Sequence, residues 1–326
     1  MKRGLGGLIV LAAAAWALVV VFSEPVVEAE PVVWTSSEQC IACHAEVGAE
    51  WRESWHAQSW TDPLPRAPDQ SNDFSNTDCI DCHAPRPIFE TGIGERVLPR
   101  AVRRVEGVDC IACHLLPDGR VAGTIDNPSA PCRPKAMRDL RRAEYCAGCH
   151  NQHGTVDQWS ESSWGAQNVS CIDCHMVEVT RADGSTGRDH RSFGGHSLDF
   201  LQAAVTVSAT VGADGWVARV ENTGAGHNYP TDERSRASDL FWRRPGETEW
   251  KHLYRFRNPY RFEVGLPNTE LPSGEAVEVD VADAAPDEAI EIALFYKLTP
   301  VWDDPENPDP ETDSTATLVF KDTFTP

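Results

Sequence analysis

The 326-residue chain carries 29 Lys and Arg against 50 Asp and Glu, a formal net charge of −21 that excludes nucleic acid as a partner on electrostatic grounds. The same charge favours solubility and steers partners with basic docking surfaces toward the chain. Eleven cysteines and eleven histidines are the compositional feature that needs a chemical reason.

In chain order, Lys2 and Arg3 form a positive start, followed by the uncharged run Gly4 to Phe22. This reads as an export signal. Val27-Glu28-Ala29 offers a cleavage site after Ala29, which makes 1–29 a signal peptide. The alternative is an uncleaved signal anchor in the cytoplasmic membrane, because a run of this length at 1.5 Å per residue reaches roughly 28 Å, close to the ~30 Å hydrocarbon core. Residues 30–36, rich in Pro, Val and Glu, read as a linker.

Five copies of one pattern follow: Cys40-Ile41-Ala42-Cys43-His44, Cys79-Ile80-Asp81-Cys82-His83, Cys110-Ile111-Ala112-Cys113-His114, Cys146-Ala147-Gly148-Cys149-His150 and Cys171-Ile172-Asp173-Cys174-His175. Cys-x-x-Cys-His is the attachment signature of c-type haem. Two thiols at this spacing reach the vinyl groups on one porphyrin edge, and the next histidine is held under the ring to ligate iron. Zinc half-sites, dithiol redox centres and disulfide frameworks do not need a histidine after every second cysteine. Five covalent c-type haems are therefore expected. Haem c is attached outside the cytoplasm in bacteria, so a periplasmic or cell-surface location agrees with the export signal. Only Cys132 is left over; a buried inert thiol is the bland reading for it.

The segment 37–198 is too short per haem for an ordinary core, so the macrocycles themselves should form it, wrapped by short helices and loops. Pro63 to Pro68, Pro85 to Pro87 and Pro128 to Pro134 argue against long helices. His44, His83, His114, His150 and His175 are the proximal ligands. His56, His153, His190, His196 and His227 are the candidate distal set, with His252, in an expected strand, the spare. Met137 and Met176 are weaker candidates. Arg100, Arg103, Arg104 and the run Arg133 to Arg142 are either counterions for haem propionates or solvated faces.

From Leu201 onward the pattern changes to period-two alternation: Ala204 to Val211, Trp216 to Val220, Ala276 to Val281, Ala289 to Tyr296 and Ala316 to Phe320. Turn signals at Asp214-Gly215 and Ser273-Gly274 separate some of them. Residues 199–326 are expected to form an antiparallel β-sandwich without covalent haem. The Pro-rich acidic stretch Asp303 to Asp313 reads as a solvated loop, with calcium as the alternative.

These residues carry a resemblance. Trp51 to Ala57, Cys171 to Met176, His190 to His196, Gly226 to Thr231 and Leu271 to Glu275 make the chain similar to multihaem cytochromes c of the c-552/c-554 type that continue into a β-sandwich. The likeness spans about Ser37 to Phe320. It implies periplasmic or cell-surface electron transfer with bis-His haems packed in close pairs. Two departures stand out: Trp159 to Trp164 repeats the Trp-Ser pattern around His56 without its histidine, and Asp232 stands where relatives commonly have Gly. The fold class is thus α+β, a loop-rich, mostly helical multihaem domain followed by the sandwich. The functional expectation is an exported electron carrier. The alternatives are a multihaem reductase with one open haem acting on a small substrate such as a nitrogen oxyanion, or a structural subunit of an extracellular redox assembly.

Overall fold

The computed structural model describes residues 27–61, 77–213, 215–231, 235–260, 262–305 and 308–326. The expected hydrophobic run Gly4 to Phe22 lies outside the described residues. Among the described residues no helix is long and apolar enough to cross a membrane. The expected linker is irregular and lies along the loop after the third motif, where Trp34 Nε1 donates to the Gly119 carbonyl at 3.0 Å.

The motif-bearing part is built from short helices: α1 (Glu38–Ile41), α2 (Ala45–Glu53), α3 (Trp55–Gln58), α4 (Thr77–His83), α5 (Ile88–Thr91), α6 (Cys110–His114), α7 (Ala143–His150), α8 (Thr155–Glu161), α9 (Ser163–Ala166) and α10 (Cys171–His175). Two small ladders interrupt them. Strands β1 (Ala122–Gly123) and β2 (Lys135–Ala136) pair in parallel, and β3 (Glu178–Thr180) and β4 (Thr186–Arg188) form a hairpin after the last motif. Helix α11 (Leu198–Ala204) then leads into the strand-rich part.

That part holds β5 (Val205–Gly212), β6 (Gly215–Asn222), β7 (Ala237–Arg243), β8 (Lys251–Phe256), β9 (Ala276–Val281), β10 (Ile290–Lys297) and β11 (Ala316–Phe324). One sheet has the order β5-β6-β9 and the other β11-β10-β7-β8, with every pair antiparallel. Val220, Trp216 and Val281 from the first sheet and Leu240, Trp242, Ile292 and Leu294 from the second share one buried cluster. Strand β8 contains His252, whose strand was expected, whereas β7 has no counterpart among the expected segments. The reason is burial on both faces: Leu240 and Trp242 enter the central core, while Phe241 packs outward with Phe295, Trp250 and Trp302. A strand covered on both sides loses the alternation that marks a half-exposed one.

Among the described residues, side chains form a large core in the strand-rich part. Among the described residues of the motif-bearing part the buried clusters are small, one around Trp60, Ile80 and Ala84 and one around Ile88, Val97 and Tyr145.

Candidate haem ligands and their geometry

The last four motifs lie on helical turns, which puts the two cysteines on one face with the histidine at the end; in the first, α1 stops at Ile41 and Cys43 and His44 follow in the turn after it. Asp109 caps α6 by accepting from the Ala112 N–H at 2.8 Å. Ser170 and Asp173 close a capping box on α10. Local sequence thus presets the two thiols and the imidazole.

Three motif histidines face a second histidine. Ring centroids are 6.1 Å apart for His56 and His150, 6.3 Å for His114 and His190, and 6.1 Å for His175 and His227. One metal between two imidazole nitrogens, with bonds of about 2 Å and each centroid about 1.1 Å behind its nitrogen, gives a separation of about 6.2 Å. The residues therefore fit bis-histidine haem iron.

Hydrogen bonds at the other ring nitrogen agree. Nδ1–H donates to a backbone carbonyl in His114 (Ala122, 2.8 Å), His175 (Phe193, 2.5 Å), His190 (Arg188, 2.8 Å), His227 (Asn228, 2.9 Å) and His83 (Ser59, 2.6 Å). This leaves Nε2 as the lone-pair nitrogen, the arrangement that orients metal-bound histidines. Burial pushes His56 down to about 4 and also lowers His114 and His190, which favours the neutral imidazole that a metal ligand requires.

The motifs also meet one another, the first with the third and the fourth with the fifth. The Cys40 and Cys110 thiols are in hydrogen-bonding contact, and so are Cys146 and Cys171. Cys82, Cys113 and Cys149, from three motifs, pack around the Ile88–Val97–Tyr145 cluster, where the Tyr145 hydroxyl donates to the Cys113 carbonyl. Tyr145 has no distinguishing signal in the sequence.

The Trp-Ser pattern is a structural repeat. Trp51 Nε1 donates to the Val108 carbonyl at 2.9 Å and Trp159 Nε1 to the Val169 carbonyl at 2.9 Å; each acceptor lies two residues before a motif cysteine. Ser54 and Ser162 each donate to the tryptophan carbonyl at 2.7 Å and accept from the N–H three residues on, at 3.2 and 3.3 Å. Trp164 occupies the place of His56 in the second copy. A Cβ on Gly226 would lie 3.3 Å from the Trp164 Cβ, so this glycine lets the chain leading to His227 pass close against the second copy.

The remaining candidates fall elsewhere. His196 stacks on Trp55 with centroids 3.7 Å apart, and His153 lies in the turn after α7. Neither faces a motif histidine at the 6 Å separation among the described residues. His252 lies in β8 and its Nε2 is 2.8 Å from Asp239 Oδ1, a partner unrelated to haem. Arg100 is buried and donates to Asp109 (3.2 Å), Pro85 (3.1 Å) and Gly107 (2.5 Å), so its counterion is a carboxylate of the chain itself. Cys132 is half-buried. Glu50 and Arg181, which contact the His190 segment, were not distinguishable in sequence from the many other surface charges.

Comparison with known proteins follows the same lines. Residues 39–115 match the family described as cytochrome c554 and c-prime. The structure is similar to a penta-heme cytochrome c552 from Thermochromatium tepidum, with TM-score 0.60 and 19% identity, over 91% of this chain and 100% of that one. At this identity the likeness is one of fold. By motif, by the matched segment and by fold, the chain is similar to multihaem cytochromes c of the c552/c554 type.

Proposed function

We propose that the protein is an exported pentahaem c-type cytochrome that transfers electrons through closely packed, mainly bis-histidine haems. The observation that carries this reading is the trio of facing imidazoles at 6.1–6.3 Å. Cys40 and Cys43, Cys79 and Cys82, Cys110 and Cys113, Cys146 and Cys149, and Cys171 and Cys174 would hold the macrocycles. His44, His83, His114, His150 and His175 would be proximal ligands. His56 would complete the fourth site, His190 the third and His227 the fifth, leaving His153 and His196 as the candidates for the first two. Bound haem supplies one-electron chemistry; the chain's residues hold both axial positions and so limit reorganisation. The contacts between attachment cysteines of different motifs support close packing, which keeps each electron transfer short.

Mass spectrometry of the denatured holoprotein should give five haem additions, and paramagnetic resonance of the oxidised protein should give at least three low-spin bis-histidine signals. Four or fewer additions in matured protein, or fewer than three such signals, would sink the reading.

One observation favours the reductase alternative. Among the described residues no second imidazole faces His44 at ligating separation, as one does for His114, His150 and His175. A stoichiometric high-spin haem that binds carbon monoxide when reduced would move the assignment to a small-substrate reductase.

A further inference from the structure

His190 is held by a charged clamp from another part of the chain. Its backbone N–H donates to Glu50 Oε2 at 3.0 Å, and its Nδ1–H donates to the Arg188 carbonyl at 2.8 Å. Glu50 lies on α2, beside the first motif, whereas His190 follows the β3–β4 hairpin. Arg181 joins the two. Its NH1 donates to Glu50 Oε1, and its NH2 donates to Glu50 Oε2 at 3.0 Å and to the Arg188 carbonyl at 2.6 Å. The Arg188 carbonyl thus accepts from both Arg181 and the His190 ring.

The route of Arg181 is built into the hairpin. Gly187 pairs with Val179 across the ladder, and a Cβ there would lie 3.1 Å from Arg181 Nε. The hairpin is tied down again by Arg188, whose guanidinium meets Asp173 Oδ1 at 2.9 Å inside the last motif. The neighbouring charge is settled separately, because Asp189 is paired with Arg191 at 2.5 Å. Glu50 Oε2 stands 3.9 Å from His190 Nδ1, and the clamp is mostly shielded, with 12% of Arg181 and 18% of Glu50 exposed.

We infer that Glu50 and Arg181 are positioning residues that set the ligand strength of His190, and through it the reduction potential of the haem at the third motif. The inference rests on the proposed His114–His190 ligation. A carboxylate near Nδ1 makes an imidazole a stronger donor and favours ferric iron. Arg181 opposes this in two ways: it neutralises Glu50, and it draws on the carbonyl that Nδ1–H uses. The device balances two opposite charges beside one ligand.

The test is a spectroelectrochemical titration of the holoprotein resolved into its individual centres. Glu50→Gln keeps an oxygen acceptor for the His190 N–H but removes the negative charge, so one centre should become easier to reduce. Arg181→Met leaves the Glu50 carboxylate uncompensated, so the same centre should become harder to reduce. The double variant should return toward the parent value, with the other centres unmoved. A purely structural clamp would move both single variants in the same direction by loosening the ligand. That result, or no shift in either, overturns the proposal. His190→Ala tests the ligation beneath it and should turn one low-spin haem high-spin. If every haem stays low-spin in His190→Ala, the ligand assignment fails and the clamp proposal falls with it.

Discussion

Lys297 is fully buried in the strand-rich part, with its ammonium 2.6 Å from Asp313 Oδ1 and 3.0 Å from Thr315 Oγ1. Burial by itself would raise the Asp313 carboxyl. The Lys297 ammonium, the Asp303 N–H and the Thr315 donors outweigh it and hold the carboxyl down at about 2. A carboxyl depressed in the folded state contributes stability above its unfolded value near 4, and this is lost as pH falls through about 2. Denaturant unfolding should therefore show a loss of stability between about pH 4 and pH 2 that Asp313→Asn lacks. At neutral pH Asp313→Asn should be less stable by about 3–5 kcal/mol, because it strands a buried ammonium. Equal acid sensitivity in the variant and the parent would rule the pair out as a source of the effect. The pair also anchors one end of the acidic loop, which accounts for Asp313 without a bound cation.

At the scale of elements, the repeated Trp-Ser unit separates a shared scaffold from a candidate ligand, His56, carried by only one copy. Ser54 and Ser162 perform the same N-cap bond on α3 and α9, and loss of such a cap costs about 1 kcal/mol. Ser54→Ala and Ser162→Ala should lower the unfolding midpoint by similar amounts. Their spectra should differ. Ser54 lies two residues before His56, so its variant should perturb the low-spin signal of the proposed His56–His150 centre, whereas Ser162→Ala, whose copy carries Trp164, should leave that signal alone. Identical spectral effects would mean that the cap does not position His56.

At the scale of the molecule, the two parts differ in what fills them. The strand-rich part closes on its own side chains, with Leu240, Ile290, Ile292 and Leu294 fully buried between the sheets. Among its described residues the motif-bearing part has small side-chain clusters and short helices that would be marginal alone. Residues 199–326 expressed alone should give a β-type far-UV spectrum, a cooperative melt and no Soret band. A disordered or helical spectrum would refute that independence. The loop from Gly224 to Pro230 should loosen in the fragment, because His227 loses His175 and Gly226 loses Trp164.

The attachment chemistry is legible in the sequence because it is local: two thiols and an imidazole within five residues need nothing but one helical turn. Strands β5, β6, β9 and β11 are legible because one face of each is polar enough for alternation to show; β10, buried on both faces, alternates only at its start, Ile290-Glu291-Ile292, and β7 is hidden by burial on both faces. Pairing the ligands needs distance. Residue type marked His56, His190 and His227 as available, but only the packed chain sets them against His150, His114 and His175, from motifs remote in sequence. The same is true of Glu50 and Arg181, whose charges are ordinary in an acidic chain and acquire meaning only where the hairpin, α2 and His190 converge. Composition can supply donors, and neighbouring carbonyls can orient them, as Arg188 does for His190 and Asn228 for His227; which imidazole each lone pair meets is decided by the packing of segments remote in sequence.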